Sequence, residues 1–216
     1  MNKRQLISWT VVTLMLTLLS IFLLDQPIAA FVQRAGGRSS VIFLKGTSFL
    51  EIAFGFPINR SALTYALLAA AALLFIWKST RSAAWMVLFI ACVQISTRLA
   101  VVGLKTERLR PFEVIQAGNW DWKFFRSHGN AFPSGHGAYF WGLYFPLVFL
   151  FPRYRLPLLI IPLFISVARV GVNDHWCSDV LASATVAALI TLIFIGLFRM
   201  KECETRGPVR QDQLHG

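Results

Sequence analysis

Val180-Leu181-Ala182-Ser183-Ala184-Thr185-Val186-Ala187-Ala188-Leu189-Ile190-Thr191-Leu192-Ile193-Phe194-Ile195-Gly196-Leu197-Phe198 runs without an ionisable side chain, and its length decides the fold. A helix needs about 20 mostly apolar residues to cross a hydrocarbon core of about 30 Å. Only helices and closed barrels satisfy every backbone polar group in lipid, and this run lacks the alternation of a barrel strand. Working outward, five further stretches read the same way: Leu6 to Leu24, Ser61 to Trp77, Ala83 to Leu104, His136 to Phe151 and Leu156 to Val172. The expected architecture is all-α, a polytopic membrane bundle of six transmembrane helices.

Composition agrees. The chain has 216 residues, 56% hydrophobic and only 14% charged, where a soluble domain carries about 25% charged residues. That is too little charge to clothe a particle facing water all round, and the apolar fraction excludes a disordered chain. A single integral membrane domain over residues 1–200 is expected, with its core at 83–198 and a polar cytoplasmic tail at 201–216. The formal charge of +11 suggests nucleic acid until its placement is read: the basic residues sit in short clusters between apolar runs, as in a chain that crosses a bilayer repeatedly. No nucleic-acid partner is expected.

Lys3 and Arg4, Lys78 and Arg81, Arg153 and Arg155, then Arg199, Lys201, Arg206 and Arg210 share one side of a six-span bundle. By the positive-inside rule that side, with both termini, is cytoplasmic. Asp25, Glu51, Glu107, Glu113, Asp121, Asp174 and Asp179 interleave with bases on the other side. A bacterial inner-membrane location with that face outward is the expectation. Leu6 to Leu24 is longer than the apolar core of a secretory signal, and Ile28 suits a cleavage site poorly. Between Asp25 and Arg60 an outer loop is expected, its semi-apolar Val41 to Phe56 part forming an interfacial or re-entrant segment over the mouth of the bundle. Cys92, Cys177 and Cys203 are placed too far apart for a disulfide, and no zinc-type spacing is present.

The chemistry lies at the ends of the last four spans. Lys105-Thr106-Glu107-Arg108-Leu109-Arg110-Pro111 follows the third, and Pro133-Ser134-Gly135-His136 opens the fourth. Arg169 closes the fifth, and His175-Trp176-Cys177-Ser178-Asp179 leads into the sixth. Two crossings separate these connections, so they emerge on one face whatever the absolute orientation. Ser134 suits a helix N-cap, and a small Gly135 lets the amides of a helix N-terminus, an anion site, approach a ligand. Arg110 and Arg169 offer planar forks to a phosphate, and Lys105 offers a point charge. His175 and Asp179 stand four apart, one helical turn. A carboxylate there fixes the imidazole tautomer and frees the other nitrogen as nucleophile or base, while His136 is available to protonate a leaving oxygen. A single histidine or span-end base is ordinarily structural; the joint occurrence on one face points to metal-free phosphoryl transfer.

These motifs resemble the type 2 phosphatidic acid phosphatase family, membrane lipid phosphatases that share a helical core with vanadium haloperoxidases. The family pattern is Lys, six residues, Arg-Pro; then Pro-Ser-Gly-His; then Ser-Arg, five residues, His, three residues, Asp. Pro133 to His136 match the second motif fully, and Arg169, His175 and Asp179 match the third in type and spacing. Two departures stand out. Only four residues separate Lys105 from Arg110, leaving Arg108 as a competing cation, and Ala168 replaces the family's Ser. The resemblance implies that His175 attacks phosphorus to give a phosphohistidine, oriented by Asp179. It implies that His136 protonates the leaving group and later activates water, and that Lys105, Arg110, Ser134, Gly135 and Arg169 hold the phosphoryl oxygens. It implies no cofactor and no metal.

A lipid phosphate reaching the site by lateral diffusion is the expected substrate: undecaprenyl diphosphate, phosphatidylglycerophosphate, phosphatidic acid or a lipid A phosphate. The aromatic and basic Asn119 to Arg126 stretch suits an interfacial segment beside the site. A lipid phosphotransferase using the same residues is the alternative. A non-enzymatic transporter is the third class, for which Gln94, Ser96, Thr97 and Arg98 are the main polar candidates within the spans. The sequence leaves the oligomeric state open.

Overall fold

A computed structural model describes residues 1–118 and 129–200. The Asn119 to Arg126 stretch, Cys203 and the tail at 201–216 lie outside the described residues. Everything regular in them is helical: α1 Lys3–Leu19, α2 Asp25–Arg34, α3 Val41–Ala53, α4 Ala62–Ile76, α5 Arg81–Gly103, α6 Pro111–Gln116, α7 Gly135–Leu150, α8 Arg155–Gly171 and α9 Cys177–Leu197. Among the described residues four stretches are long and apolar enough to cross a membrane: Lys3–Arg34, Lys78–Gly103, Pro152–Gly171 and Cys177–Leu197.

The other two expected spans are helices but short ones. With 15 residues in α4 and 16 in α7, each rises only about 22–24 Å. Helix α7 is the buried axis of the bundle: Tyr139, Phe140, Phe145, Val148 and Leu150 are almost wholly enclosed, packed with Leu6, Phe89 and Ile165. It is wrapped by α5, α8 and α9, with α1 against α9 and α4 against α5. Its apolar character therefore reflects a protein interior. Exposed Val11, Met15, Phe22, Leu99, Ile160 and Leu197 form the outer, lipid-type surface.

The first span does not end at Leu24. It passes through a π-helical turn at Ser20–Leu24 straight into α2, so the loop expected from Asp25 begins only after Arg34. The reason is chemical: Asp25 is 2% exposed and accepts hydrogen bonds from Arg108 and Ser178, so a buried carboxylate that would otherwise end an apolar helix is satisfied from outside it. After Arg34 the chain turns back into α3, which lies across α8, Gly46 against Phe164 and Gly171 against Phe43. This is the expected Val41 to Phe56 segment, and it brings Glu51 and Phe56 to the mouth of the bundle.

Candidate active site

The ends of α5, α7, α8 and α9 meet, as parity requires, around a cavity of about 240 Å³. Its wall includes Lys105, Arg110, Gly135, His136, Arg169 and His175. All but two of the sequence-derived site residues thus face one space. The exceptions, Ser134 and Asp179, lie directly behind it.

Short pairings hold the motifs in register. Thr106 N–H donates to Phe132 O, and Ala131 N–H to Arg108 O. Gly129 makes that approach possible, since a Cβ there would stand 2.4 Å from the Arg108 carbonyl oxygen and φ is +122°, a region that favours glycine. Lys105 Nζ donates to Asn130 O at 2.6 Å and Pro133 O at 2.5 Å, so the cation that edges the cavity also ties down the turn before α7. Burial pushes its pKa down, offset by Asp179 and reinforced by Arg110. Ser134 caps α7, its Oγ accepting from Gly137 N–H at 3.2 Å, while its own N–H donates to Asp179 O. Beyond its own neighbours and helix backbone, no heavy atom of the described residues lies within 4 Å of where a Cβ on Gly135 would sit, so the first turn of α7 presents bare backbone to the cavity.

On the far wall, His175 is 4% exposed and its Nδ1 lies 3.2 Å from Asp179 Oδ2. The same oxygen accepts from Trp176 N–H at 2.9 Å, and Oδ1 accepts from Arg108 Nη1 at 2.6 Å. Asp179 is thereby saturated and fixed, leaving Nε2 of His175 for chemistry. Burial pushes the His175 pKa down against the opposing pull of Asp179, which favours the neutral imidazole.

Lys105 and Arg108 take different places. Arg108, 4% exposed, joins Asp25 at 2.7 Å to Asp179 at 2.6 Å and lies beneath the Trp176 ring. Lys105 lines the cavity; Arg108 is outside its lining. Arg169 pairs with Asp174 at 2.8 Å, but its Nε is buried without a hydrogen-bond partner among the described residues. An orphaned guanidinium donor at a cavity wall suits an anionic ligand. Ala168, in the place of the family's Ser, is fully buried.

Sequence reasoning missed Glu51, Phe56 and Arg60, and it read Arg98 only as a polar candidate within a span. Glu51 Oε1 lies 2.6 Å from Nε2 of His136, and the Phe56 ring stacks on the same imidazole. Arg60 and Arg98 line the cavity with Phe56 and Tyr139, Arg98 bonding to Ser61 and Thr64. Among the described residues no cluster of His, Cys, Asp and Glu assembles into a metal-type site.

The helices of the bundle thus converge on a cation-lined pocket with two histidines in its wall. Residues 100–203 match the PAP2 superfamily, the family its motifs resemble. Two curated relatives are similar over 88 residues, 40% of this chain: the Lipid A 1-phosphatase of Rhizobium johnstonii at 31% identity and that of Rhizobium etli at 30%. The match spans 36% and 38% of their own lengths, little more than a third. No solved structure matches the chain.

Proposed function

We propose that this protein is a lipid phosphatase of the membrane, hydrolysing a phosphomonoester or diphosphate of a lipid through a phosphohistidine. The observation that carries the reading is the pair His175 and Asp179 at 3.2 Å, set in the wall of a cavity that also holds Lys105, Arg110, Arg169 and His136. Nε2 of His175 attacks phosphorus as the bond to the leaving oxygen breaks, and His136 supplies the proton that oxygen needs. Lys105, Arg110, Arg169 and the amides at Gly135 take up the charge that spreads over the equatorial oxygens. His136 then accepts a proton from water, whose oxygen displaces His175 and releases phosphate. A cavity of 240 Å³ is below the volume of a drug-sized pocket, so it takes the phosphorylated headgroup and leaves the acyl or prenyl chain among the helices.

The membrane reading rests on the four long apolar helices, extended to six crossings by α4 and α7, with the bases at Lys3, Arg4, Lys78, Arg81, Arg153, Arg155 and Arg199 facing the cytoplasm of an inner membrane and the cavity facing outward. The Lipid A 1-phosphatase relatives support a phosphorylated lipid as substrate. The test is phosphate release from a panel of lipid phosphates by the detergent-purified chain, beside His175→Ala and with a chelator. Release by the wild type that is lost in His175→Ala and kept in chelator is the expected result. Undiminished release by the variant would sink the mechanism.

A further inference from the structure

His136 does not stand alone. Its Nε2 is held by the Glu51 carboxylate at 2.6 Å, a pair in which the histidine and glutamate side chains are 18% and 31% exposed, while its Nδ1 has no hydrogen-bond partner among the described residues. Phe56 stacks parallel to the ring at 5.6 Å between centroids, so the imidazole is fixed from two sides. Both contacts come from α3 and the turn after it, ahead of the segment that matches the family. Other charges about this pair are Arg60, before α4, and Arg169, on α8. Across the cavity stand Lys105, Arg110 and His175. The hydrogen bond with His136 is the largest cause holding the Glu51 carboxyl below the usual carboxylate range, so the partner of His136 is an anion at neutral pH.

Resting on the phosphatase reading, we propose that Glu51 is a positioning residue for His136, holding the Nε2 proton so that Nδ1 is the atom that gives and takes the catalytic proton. When His175 bonds to phosphorus and the bond to the leaving oxygen breaks, the Nδ1 proton moves to that oxygen and His136 becomes neutral. When water attacks the phosphohistidine, Nδ1 takes the proton that water loses and the phosphorus–nitrogen bond breaks, restoring both histidines. Throughout, the carboxylate stabilises the imidazolium and prevents the ring from turning. The arrangement makes α3 part of the chemistry: a helix packed across α8 delivers the carboxylate that the motif segment lacks.

The decisive comparison uses leaving groups of different need. An alkoxide from phosphatidic acid requires a proton, whereas p-nitrophenolate departs without one, so in kcat/KM, which ends at the phosphohistidine, a group that acts through the acid matters only for the first. In detergent micelles, kcat/KM of Glu51→Gln on dioctanoyl phosphatidic acid is expected to fall about 10- to 100-fold, with little change on p-nitrophenyl phosphate. Glu51→Asp, which keeps a carboxylate, should recover part of the loss. Equal losses on both substrates would overturn the proposal in favour of a structural role for Glu51. A lower KM with undiminished kcat would overturn it in the opposite direction, showing the carboxylate to be a stand-in that substrate must displace. A wild type that frees phosphate from neither compound, nor from any other lipid phosphate, would instead refute the phosphatase reading itself.

Discussion

Nη1 of Arg108 lies 2.6 Å from Oδ1 of Asp179, so the cation two residues before Arg110 serves the carboxylate behind His175 instead of lining the cavity. Its other nitrogen reaches Asp25 at 2.7 Å, and Ser178 closes the network onto the same carboxylate. A guanidinium shared by two buried carboxylates couples the first helix to the start of α9. Breaking such a pair leaves an uncompensated buried charge and costs about 3–5 kcal/mol.

Arg108 and Arg110 should therefore fail differently. Arg108→Gln or Asp25→Ala is expected to lower the melting temperature in detergent sharply and to reduce activity with it. Arg110→Gln removes a cavity cation and keeps the backbone hydrogen bonds of this position to Glu113 and Val114, so it is expected to fold normally while kcat/KM falls about 10²-fold. Thermal unfolding beside turnover for the three variants checks this; matching stability losses in all of them would contradict it.

Lys105 provides a dependence on pH. Burial is the largest cause of its lowered pKa, and a lysine with a depressed value loses its charge as pH rises through that value, below the ordinary range near 10.4. The phosphate clamp should weaken on the alkaline side earlier than a solvent-exposed lysine would allow. Inhibition by inorganic phosphate, followed above neutrality, is expected to fade with rising pH. In Lys105→Arg, whose guanidinium stays charged, the fade should move to higher pH. An unchanged profile would remove Lys105 from the phosphate site and leave only its bonds to Asn130 and Pro133.

Gly135 separates folding from chemistry. A methyl group there meets no atom of the described residues within 4 Å beyond its own neighbours and helix backbone, so Gly135→Ala should fold and unfold as the wild type does. The same methyl enters the space beside the first amides of α7, where the phosphoryl oxygens sit in the proposed mechanism. A loss of kcat/KM of about 10²-fold or more is expected, on the scale of a lost oxyanion donor. Unimpaired turnover would place the phosphate elsewhere.

Much of this site was legible because helical spans impose parity: once Ala83 to Leu104, His136 to Phe151, Leu156 to Val172 and Val180 to Phe198 read as antiparallel helices, Lys105, His136, Arg169 and His175 had to share an end. Hydropathy could not separate lipid-facing from buried apolar helices, so nothing in the sequence marked α7 as the buried axis of the bundle. Asp25 read as the end of a helix because its partners, Arg108 and Ser178, come from more than 80 residues away. Glu51 was invisible for the same reason, its contact with His136 joining residues 85 apart. Only the break in apolarity between Val41 and Phe56 marked its segment as unusual, and that signal speaks of placement at the membrane surface, with nothing about an imidazole.

Arg60 and Arg98 bear on substrate choice. They line the cavity with Tyr139, which follows His136 by one turn of α7, and Arg60 belongs to the electrostatic surroundings of the Glu51 and His136 pair. Arg98 has its ring contact with Tyr139 at 5.6 Å and donates hydrogen bonds to the neutral hydroxyls of Ser61 and Thr64. If His136 protonates the leaving oxygen, these two cations flank the leaving group and favour one that is itself anionic, as the second phosphate of a lipid diphosphate is. A hydrogen bond to a charged group contributes about 1.5–3 kcal/mol, so Arg98→Gln should lower kcat/KM on a prenyl diphosphate roughly 10- to 100-fold, with a much smaller loss on the monophosphate of the same chain. Both rates, measured in the same detergent for the wild type, Arg98→Gln and Arg60→Gln, decide it. Equal losses on the two substrates would make Arg98 a tie between α4 and α5, whereas a loss confined to the diphosphate would mark the far side of His136 as the subsite for a charged leaving group.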